Sequence, residues 1–277
     1  MQFSELVSHS RIFAVYSVLA VFLSACDSGT TNVVSNIADG NTAELQNTFD
    51  TTIQAPIELP VTPTRSIMAV GDSITQGANL QRSYRYHLIQ KLELAGCKHT
   101  MVGSQTGTEL ETDFNSPHES YSTMKADHFL TGYTTWSGEN EGIEITMDRY
   151  FPDVVLMHIG SNDLYYEESI ESVIDDIRQI VSIITTTNPD AVVLLSNVIP
   201  WYGVSDSGAE ILFESEQLGI AIEDLIAELN DPSVHFVDVF SGYTRSMMLV
   251  DLIHPNNLGE LHLTDRFFNA YVNAGLC

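Results

Sequence analysis

From Arg65 onward the chain alternates between short continuous apolar runs and longer stretches in which apolar residues recur at every third or fourth position. Continuous runs over 66–70, 153–159, 191–199 and 234–239 predict strands covered on both faces, because no polar alternation marks a wet side. A shorter run over 99–103 predicts one more strand. Helical spacing is clearest over 168–186, where Ile170, Val173, Ile174, Ile177, Ile180, Val181 and Ile184 form one stripe. Further helices are expected over 83–95, closed by Gly96, over 208–229, carrying Leu218, Ile222, Leu225, Ile226 and Leu229, and over 258–273. The stretch 104–140 shows no steady period and reads as loop-rich, a length that in a compact domain usually signals function.

Strands that alternate with helices call for a parallel sheet with helices on both faces. The expected fold class is α/β, a three-layer α/β/α sandwich with about five parallel strands. In such sheets ligands gather at the carboxyl ends of the strands, so the residues that follow each run are the ones to inspect. Composition adds boundaries. Residues 27–64 are rich in Thr, Asn, Ser, Asp and Pro with scattered apolar residues, too few to offset the entropy of ordering, and are expected to form a flexible tether. The apolar stretch 12–23 is short for a membrane span and ends in Leu23-Ser24-Ala25-Cys26. This ending resembles a bacterial lipoprotein signal, which implies a leader over 1–25, lipidation of Cys26, a tether over 26–64 and a folded domain over 65–277. The resemblance implies a lipid-anchored place in the bacterial cell envelope, with secretion as the alternative.

With 11 basic against 37 acidic residues the chain carries a formal charge of −26, which disfavours nucleic acid and anionic membrane surfaces as partners. Neutral substrates fit better. Two further cysteines, Cys97 and Cys277, would staple the first helix to the C-terminus if paired, and the spacing leaves pairing and free thiols equally open. No Gly-x-Gly-x-x-Gly, phosphate-loop or zinc-ligand pattern is present, so no cofactor and no metal is expected.

Four short motifs fall at strand ends or in loops: Gly71-Asp72-Ser73, the glycine in His128-Phe129-Leu130-Thr131-Gly132-Tyr133, Gly160-Ser161-Asn162-Asp163 and Asp251-Leu252-Ile253-His254. Each alone has a plain reading, as a helix cap, loop punctuation, a turn and an acid near a histidine. In this order on an α/β pattern they resemble the SGNH or GDSL hydrolase superfamily. Finer matches at Gly71–Gly77, Tyr84-Arg85, Val102-Gly103-Ser104, His158–Leu164 and His254-Pro255-Asn256 resemble its acetyl xylan esterase branch, carbohydrate esterase family three. That branch has Glu-Gly-His-x-Gly-Trp around its second block. Here the His128 to Gly132 spacing is longer, and Gly138 is the fallback for the second-block glycine.

The resemblance implies a flavodoxin-like SGNH fold and a serine esterase. Ser73 would be the nucleophile, His254 its base and Asp251 the residue that orients the imidazole. The oxyanion would be met by the amides of Ser73 and Gly132 and by the Asn162 side chain. Tyr165, Tyr166, Trp201 and Tyr202 follow predicted strands, where their faces could stack on sugar or simply pack a loop. The expected substrate is an acylated small molecule or oligosaccharide, deacetylation of carbohydrate being preferred. A lysophospholipase or thioesterase acting on lipid acyl groups is the alternative, and a non-catalytic sugar-binding lipoprotein is the rival of a different class.

Overall fold

The structure is a computed structural model that describes residues 63–77, 82–107 and 116–277. The expected leader, Cys26 and nearly all of the expected tether lie outside the described residues. The first part of the domain forms β1 (Arg65–Gly71), α1 (Ser73–Gln76), α2 (Tyr84–Leu94), β2 (His99–Val102), β3 (Gln105–Thr106) and β4 (Pro117–Ser120). Next come α3 (Ala126–Thr131), a hairpin of β5 (Tyr133–Thr135) and β6 (Gly138–Asn140), and α4 (Ile143–Tyr150). The remainder is β7 (Val154–His158), α5 (Ser161–Tyr165), α6 (Ile170–Thr187), β8 (Val192–Ser196), α7 (Leu212–Leu229), β9 (Val234–Val237) and α8 (Asn257–Asn273).

Strands β1, β7, β8 and β9 run parallel, side by side. The other side of β1 is shared: β2 pairs with Arg65–Met68, and β4 takes over beside Val70 and Gly71, both parallel. Short β3 lies antiparallel on β4. Because β2 and β4 occupy one place in succession, the parallel part keeps the expected width even though the sheet has seven strands.

Side-chain alternation decides the layers. Met68, Val70, Val155, Met157, Val193 and Leu195 face one side and meet the stripe of α6, the Leu218, Ile222 and Leu225 face of α7, and Phe129, Ile143 and Met147. Their neighbours Ile67, Ala69, Val154, Leu156 and Leu194 face the other side, against Leu88 and Leu92 of α2 and Leu263, Phe267 and Tyr271 of α8. A strand buried on both faces shows no alternation in sequence for this reason. The three-layer α/β/α sandwich is therefore the fold formed.

The stretch 104–140 departs most from expectation. It contributes β4 to the main sheet, then α3 and the β5–β6 hairpin. Pro117-His118-Glu119-Ser120 is too short and too polar to read as a strand, and it pairs with β1 because its polar groups find fixed partners. Glu119, fully buried, accepts from the Ser104 amide at 3.0 Å, the Tyr121 hydroxyl at 2.6 Å and the Asn140 amide at 3.1 Å. Helix ends differ by a few residues from expectation where caps intervene. Ser169 caps α6 by accepting from the Ser172 amide, and Asn256 caps α8 by accepting from the Leu258 and Gly259 amides.

Cys97 and Cys277 form a disulfide, with their Cα atoms 4.7 Å apart. The bond closes a loop spanning nearly the whole domain, which is where loss of unfolded-chain entropy is largest. Cys277→Ser is expected to remove about 2–4 kcal/mol and to lower the melting temperature by roughly 5–15 °C. Calorimetry of the variant, and of the wild type with and without reductant, checks this; equal melting temperatures would refute it.

Candidate active site

The carboxyl ends of β1, β4 and β7 and the loop before α8 converge on one cavity of about 380 Å³. It is lined by Ser73, Ser122, Thr123, Trp136, Asn162, Tyr165, Tyr166, Trp201, Ile253 and His254. A wider groove of about 680 Å³ lies between α7 and the loop after β9, lined by Glu216, Glu223, Asp238 and Phe240 among others. Among the described residues that groove is lined by no histidine, and its one serine, Ser241, bonds the Asp238 carboxylate, so the serine–histidine pair belongs to the smaller cavity.

Ser73 is placed by a sharp turn. A Cβ on Gly71 would stand 2.4 Å from the His158 carbonyl oxygen and from the Thr75 hydroxyl oxygen, so only glycine lets the turn pass this close to β7. Asp72 then caps α1, its carboxyl oxygen accepting from the Ile74 amide at 2.9 Å. The far end of the helix is held by Arg85, fully buried on α2, which donates to the Thr75, Gln76 and Ser116 carbonyls at 2.7, 3.0 and 3.2 Å. One guanidinium thus ties the serine's helix to the residue that leads into β4.

His254 Nε2 lies 2.9 Å from the Ser73 hydroxyl, and His254 Nδ1 lies 2.9 Å from an Asp251 carboxylate oxygen. With Asp251 accepting from Nδ1–H, the neutral ring offers Nε2 as acceptor for the serine proton. Asp251 also accepts from the Ile253 and His254 amides, each at 3.0 Å. Burial alone would raise its carboxyl, but these two amides and the imidazole outweigh burial and hold it below the usual carboxylate range. The loop itself is seated by Gly259, where a Cβ would come within 2.4 Å of the Tyr243 hydroxyl and 2.5 Å of the Met247 carbonyl oxygen. The structure thus brings together Ser73, His254 and Asp251, the three residues read from the sequence as one constellation.

Asn162, at the start of α5, donates from its side-chain nitrogen to the Met124 carbonyl at 2.9 Å, leaving the second hydrogen of that nitrogen for the cavity. Asp163 reaches the same segment, accepting from the Ala126 amide at 3.0 Å. The segment 122–126 is therefore clamped from two consecutive side chains. It carries Thr123, a threonine with φ of 66° that lines the cavity and whose amide has no acceptor among the described residues.

Two sequence expectations are corrected here. Gly132 and Gly138 do not line the cavity: Gly132 ends α3 against Asn140 and Glu141, and Gly138 opens β6 beside Gln105. The residue of that stretch that lines the cavity with a positive φ is Thr123. Counting Glu-Gly-His-x-Gly-Trp from Glu119 puts Thr123 at the glycine position, a signal hidden because a search for a glycine passes over a threonine. Tyr202 is also absent from the lining and packs against the α2–α8 side of the core. Trp201, Tyr165 and Tyr166 do line the cavity, with Tyr165 stacked on Trp201 at 5.8 Å between ring centres. Trp136 was missed, since nothing periodic marks its loop.

Other titratable groups nearby serve the frame. His158 is fully buried on β7 and desolvation pushes its imidazole down to about 4. His118 is held by the Gly107 carbonyl and the Ser120 hydroxyl, and His128 stacks on Tyr133. Asp72 and Asp163 are both pushed up to about 7, chiefly by burial, and Asp163 adds to the rise at Asp72. Among the described residues no group of three or more His, Cys, Asp or Glu is arranged to hold a metal ion, and no helix is long and apolar enough to cross a membrane.

Residues 69–261 match the GDSL-like lipase/acylhydrolase family. A multidomain esterase from Ruminococcus flavefaciens is 26% identical over 212 residues, covering 70% of this chain but 26% of that protein, so the chain spans about a quarter of this curated relative's length. A family 3 carbohydrate esterase of Clostridium thermocellum superposes with a TM-score of 0.63 at 22% identity, over 76% of this chain and 96% of that one. An acetylxylan esterase from Geobacillus stearothermophilus gives 0.53 at 17% identity, over 74% of this chain and 93% of that one. At these identities the structural likeness establishes the fold.

The raised Asp163 carboxyl gives a signed expectation. Unfolded, this group releases its proton near 3.8, whereas folded it does so at about 7. Between those values the folded chain holds a proton that the unfolded chain has lost, so this group's contribution to stability falls as pH rises across the window. Asp163→Asn should therefore lose less stability than wild type between pH 5 and pH 8, by a difference on the order of 1 kcal/mol or more. Urea unfolding at several pH values measures it; parallel profiles for the two proteins would contradict the assignment.

Proposed function

The chain belongs to the GDSL-like lipase/acylhydrolase family, and from that premise we propose that it is a serine carboxylic ester hydrolase that removes acetyl groups from carbohydrate. The observation that carries the reading is the unbroken chain of contacts from Ser73 through His254 to Asp251, at 2.9 Å and 2.9 Å, opening on an aromatic cavity. Ser73 attacks the ester carbonyl carbon while its proton passes to His254, and Asp251 stabilises the imidazolium. The carbonyl oxygen becomes an oxyanion met by the Ser73 and Thr123 amides and by the Asn162 side chain, Thr123 taking the role first expected of Gly132. Collapse breaks the bond to the sugar oxygen, which leaves with the proton from His254, and an acetyl group remains on Ser73. His254 then draws a proton from water, which attacks the acetyl-serine carbonyl; collapse of this second oxyanion breaks the bond to Ser73 Oγ, which takes the proton back from His254, and acetic acid leaves and ionises to acetate.

The positive φ of Thr123, a β-branched residue, costs on the order of 1–3 kcal/mol, strain of the kind stored where a fixed N–H is needed. The lining favours sugar over a fatty acyl chain: among the described residues Ile253 is its one aliphatic residue, against four aromatic rings and several hydroxyls. The relatives point the same way, because a carbohydrate esterase and an acetylxylan esterase are among the structures that share this fold. An oxidised Cys97–Cys277 pair together with the Leu-Ser-Ala-Cys26 ending supports an exported, lipid-anchored protein of the cell envelope.

Acetate release from a panel of acetylated polysaccharides, with Ser73→Ala as control, tests the function. Wild type should release acetate and the variant should not. On p-nitrophenyl esters the rate should be highest with acetate and fall towards octanoate; a maximum at octanoate would favour the lipid acyl alternative. Asn162→Ala should lower kcat by about a hundredfold to a thousandfold while the circular dichroism spectrum is retained. Near-wild-type turnover would remove Asn162 from the oxyanion site.

A further inference from the structure

The cavity holding Ser73 and His254 lies near the small end for ligand pockets, at about 380 Å³. Rings extend beyond it. Trp136 stands at the turn between β5 and β6 with 65% of its surface exposed, and Tyr166 stands at 46%. Both line the cavity, so the apolar surface they leave in water is continuous with the candidate active site.

The Trp136 turn is held by polar bonds and not by burial of the indole. Its neighbour Ser137 accepts from the Ser122 amide at 2.9 Å and bonds the Thr135 hydroxyl at 2.8 Å. The hairpin base is fixed by Asn140, which donates to buried Glu119 at 3.1 Å and accepts from the Gly142 amide at 3.0 Å. The indole is thus fastened to the segment that carries Thr123, yet no ring stacks on it among the described residues. An exposed indole with fixed flanks adds little to folding and pre-organises a flat apolar face at low entropic cost.

We propose that Trp136 is a specificity-determining platform that stacks on the pyranose ring next to the acetylated one, so that the protein acts on oligomeric carbohydrate in preference to acetylated monosaccharides. This rests on the carbohydrate reading above. A sugar ring offers a flat C–H face for the indole and hydroxyl edges for the exposed Thr123 hydroxyl of the same lining. A fatty chain would meet little aliphatic wall, and an anionic polymer would meet the field of a chain with a formal charge of −26.

The chain has two tryptophans, Trp136 and Trp201, both lining the cavity, so indole emission reports on it directly. Ser73→Ala protein is titrated with xylohexaose, cellohexaose and mannohexaose. At least one should give a saturable change that the corresponding monosaccharide does not, that Trp136→Ala abolishes and that Trp136→Phe, read through Trp201 and by calorimetry, largely keeps as binding. No saturable binding by any of the three, or binding equal in Trp136→Ala, overturns the proposal. In the otherwise wild-type enzyme, Trp136→Ala should lower the ratio of kcat/KM on acetylated xylo-oligosaccharide to kcat/KM on p-nitrophenyl acetate by about tenfold, mostly through KM. Phe213→Ala, an equally exposed ring on α7, should leave the ratio alone. An unchanged ratio in Trp136→Ala also overturns it. A wild type that cleaves p-nitrophenyl acetate but no acetylated carbohydrate would fail the carbohydrate reading instead, and the titration would still decide the platform.

Discussion

The register of β1 at Gly71 governs the site. Gly71 is paired on one side with Ser120 of β4 and on the other with His158 of β7, and its carbonyl accepts from the Tyr121 amide at 3.1 Å. Three chain segments therefore leave the sheet at one level: Asp72-Ser73, Tyr121 to Met124, and Ile159 to Asn162. A slip of one residue along β1 would invert every side chain on that strand and move Ser73 away from both neighbours. The apolar alternation that fixes the register, Ile67 and Ala69 one way and Met68 and Val70 the other, is what makes such a slip expensive.

Around that level the polar groups form links between segments more than links within them. Arg85 joins the serine's helix to the entrance of β4, Asn162 and Asp163 join α5 to the segment before α3, and Ser137 joins the hairpin to Ser122. Glu260 on α8 accepts from the Tyr84 amide at 2.7 Å, so the helix that follows His254 also holds the helix that carries Arg85. The helix of Ser73 and the segment of Thr123 are each held by residues from another segment, the arrangement expected where geometry must survive thermal motion.

Much of this could be read from the chain because its signals are local. Apolar runs exposed the central strands, the three-and-four spacing exposed α6, and Asp251 needs only three residues to reach His254. What escaped was non-local. Strand β4 is polar and four residues long, and its place beside β1 depends on a buried carboxylate whose partners come from Ser104, Tyr121 and Asn140. Thr123 escaped because its backbone angle is imposed by the clamp from Asn162 and Asp163, whereas its side chain gives no hint of it. Tyr202 sits next to Trp201 in sequence but turns the opposite way, a difference decided by which side of the strand end each ring occupies.

The direction of β1 also separates the two edges of the sheet. Arg65, paired with His99 close to the Cys97–Cys277 bond, marks the edge where the described chain enters and where it ends, while Gly71 marks the edge where the cavity opens. The described residues thus begin on the side of the sheet away from Ser73 and His254. A long chain can approach the cleft from the Gly71 side without passing Arg65 or the Cys97–Cys277 bond, so the covalent staple of the domain and the opening of its cavity do not compete for the same face.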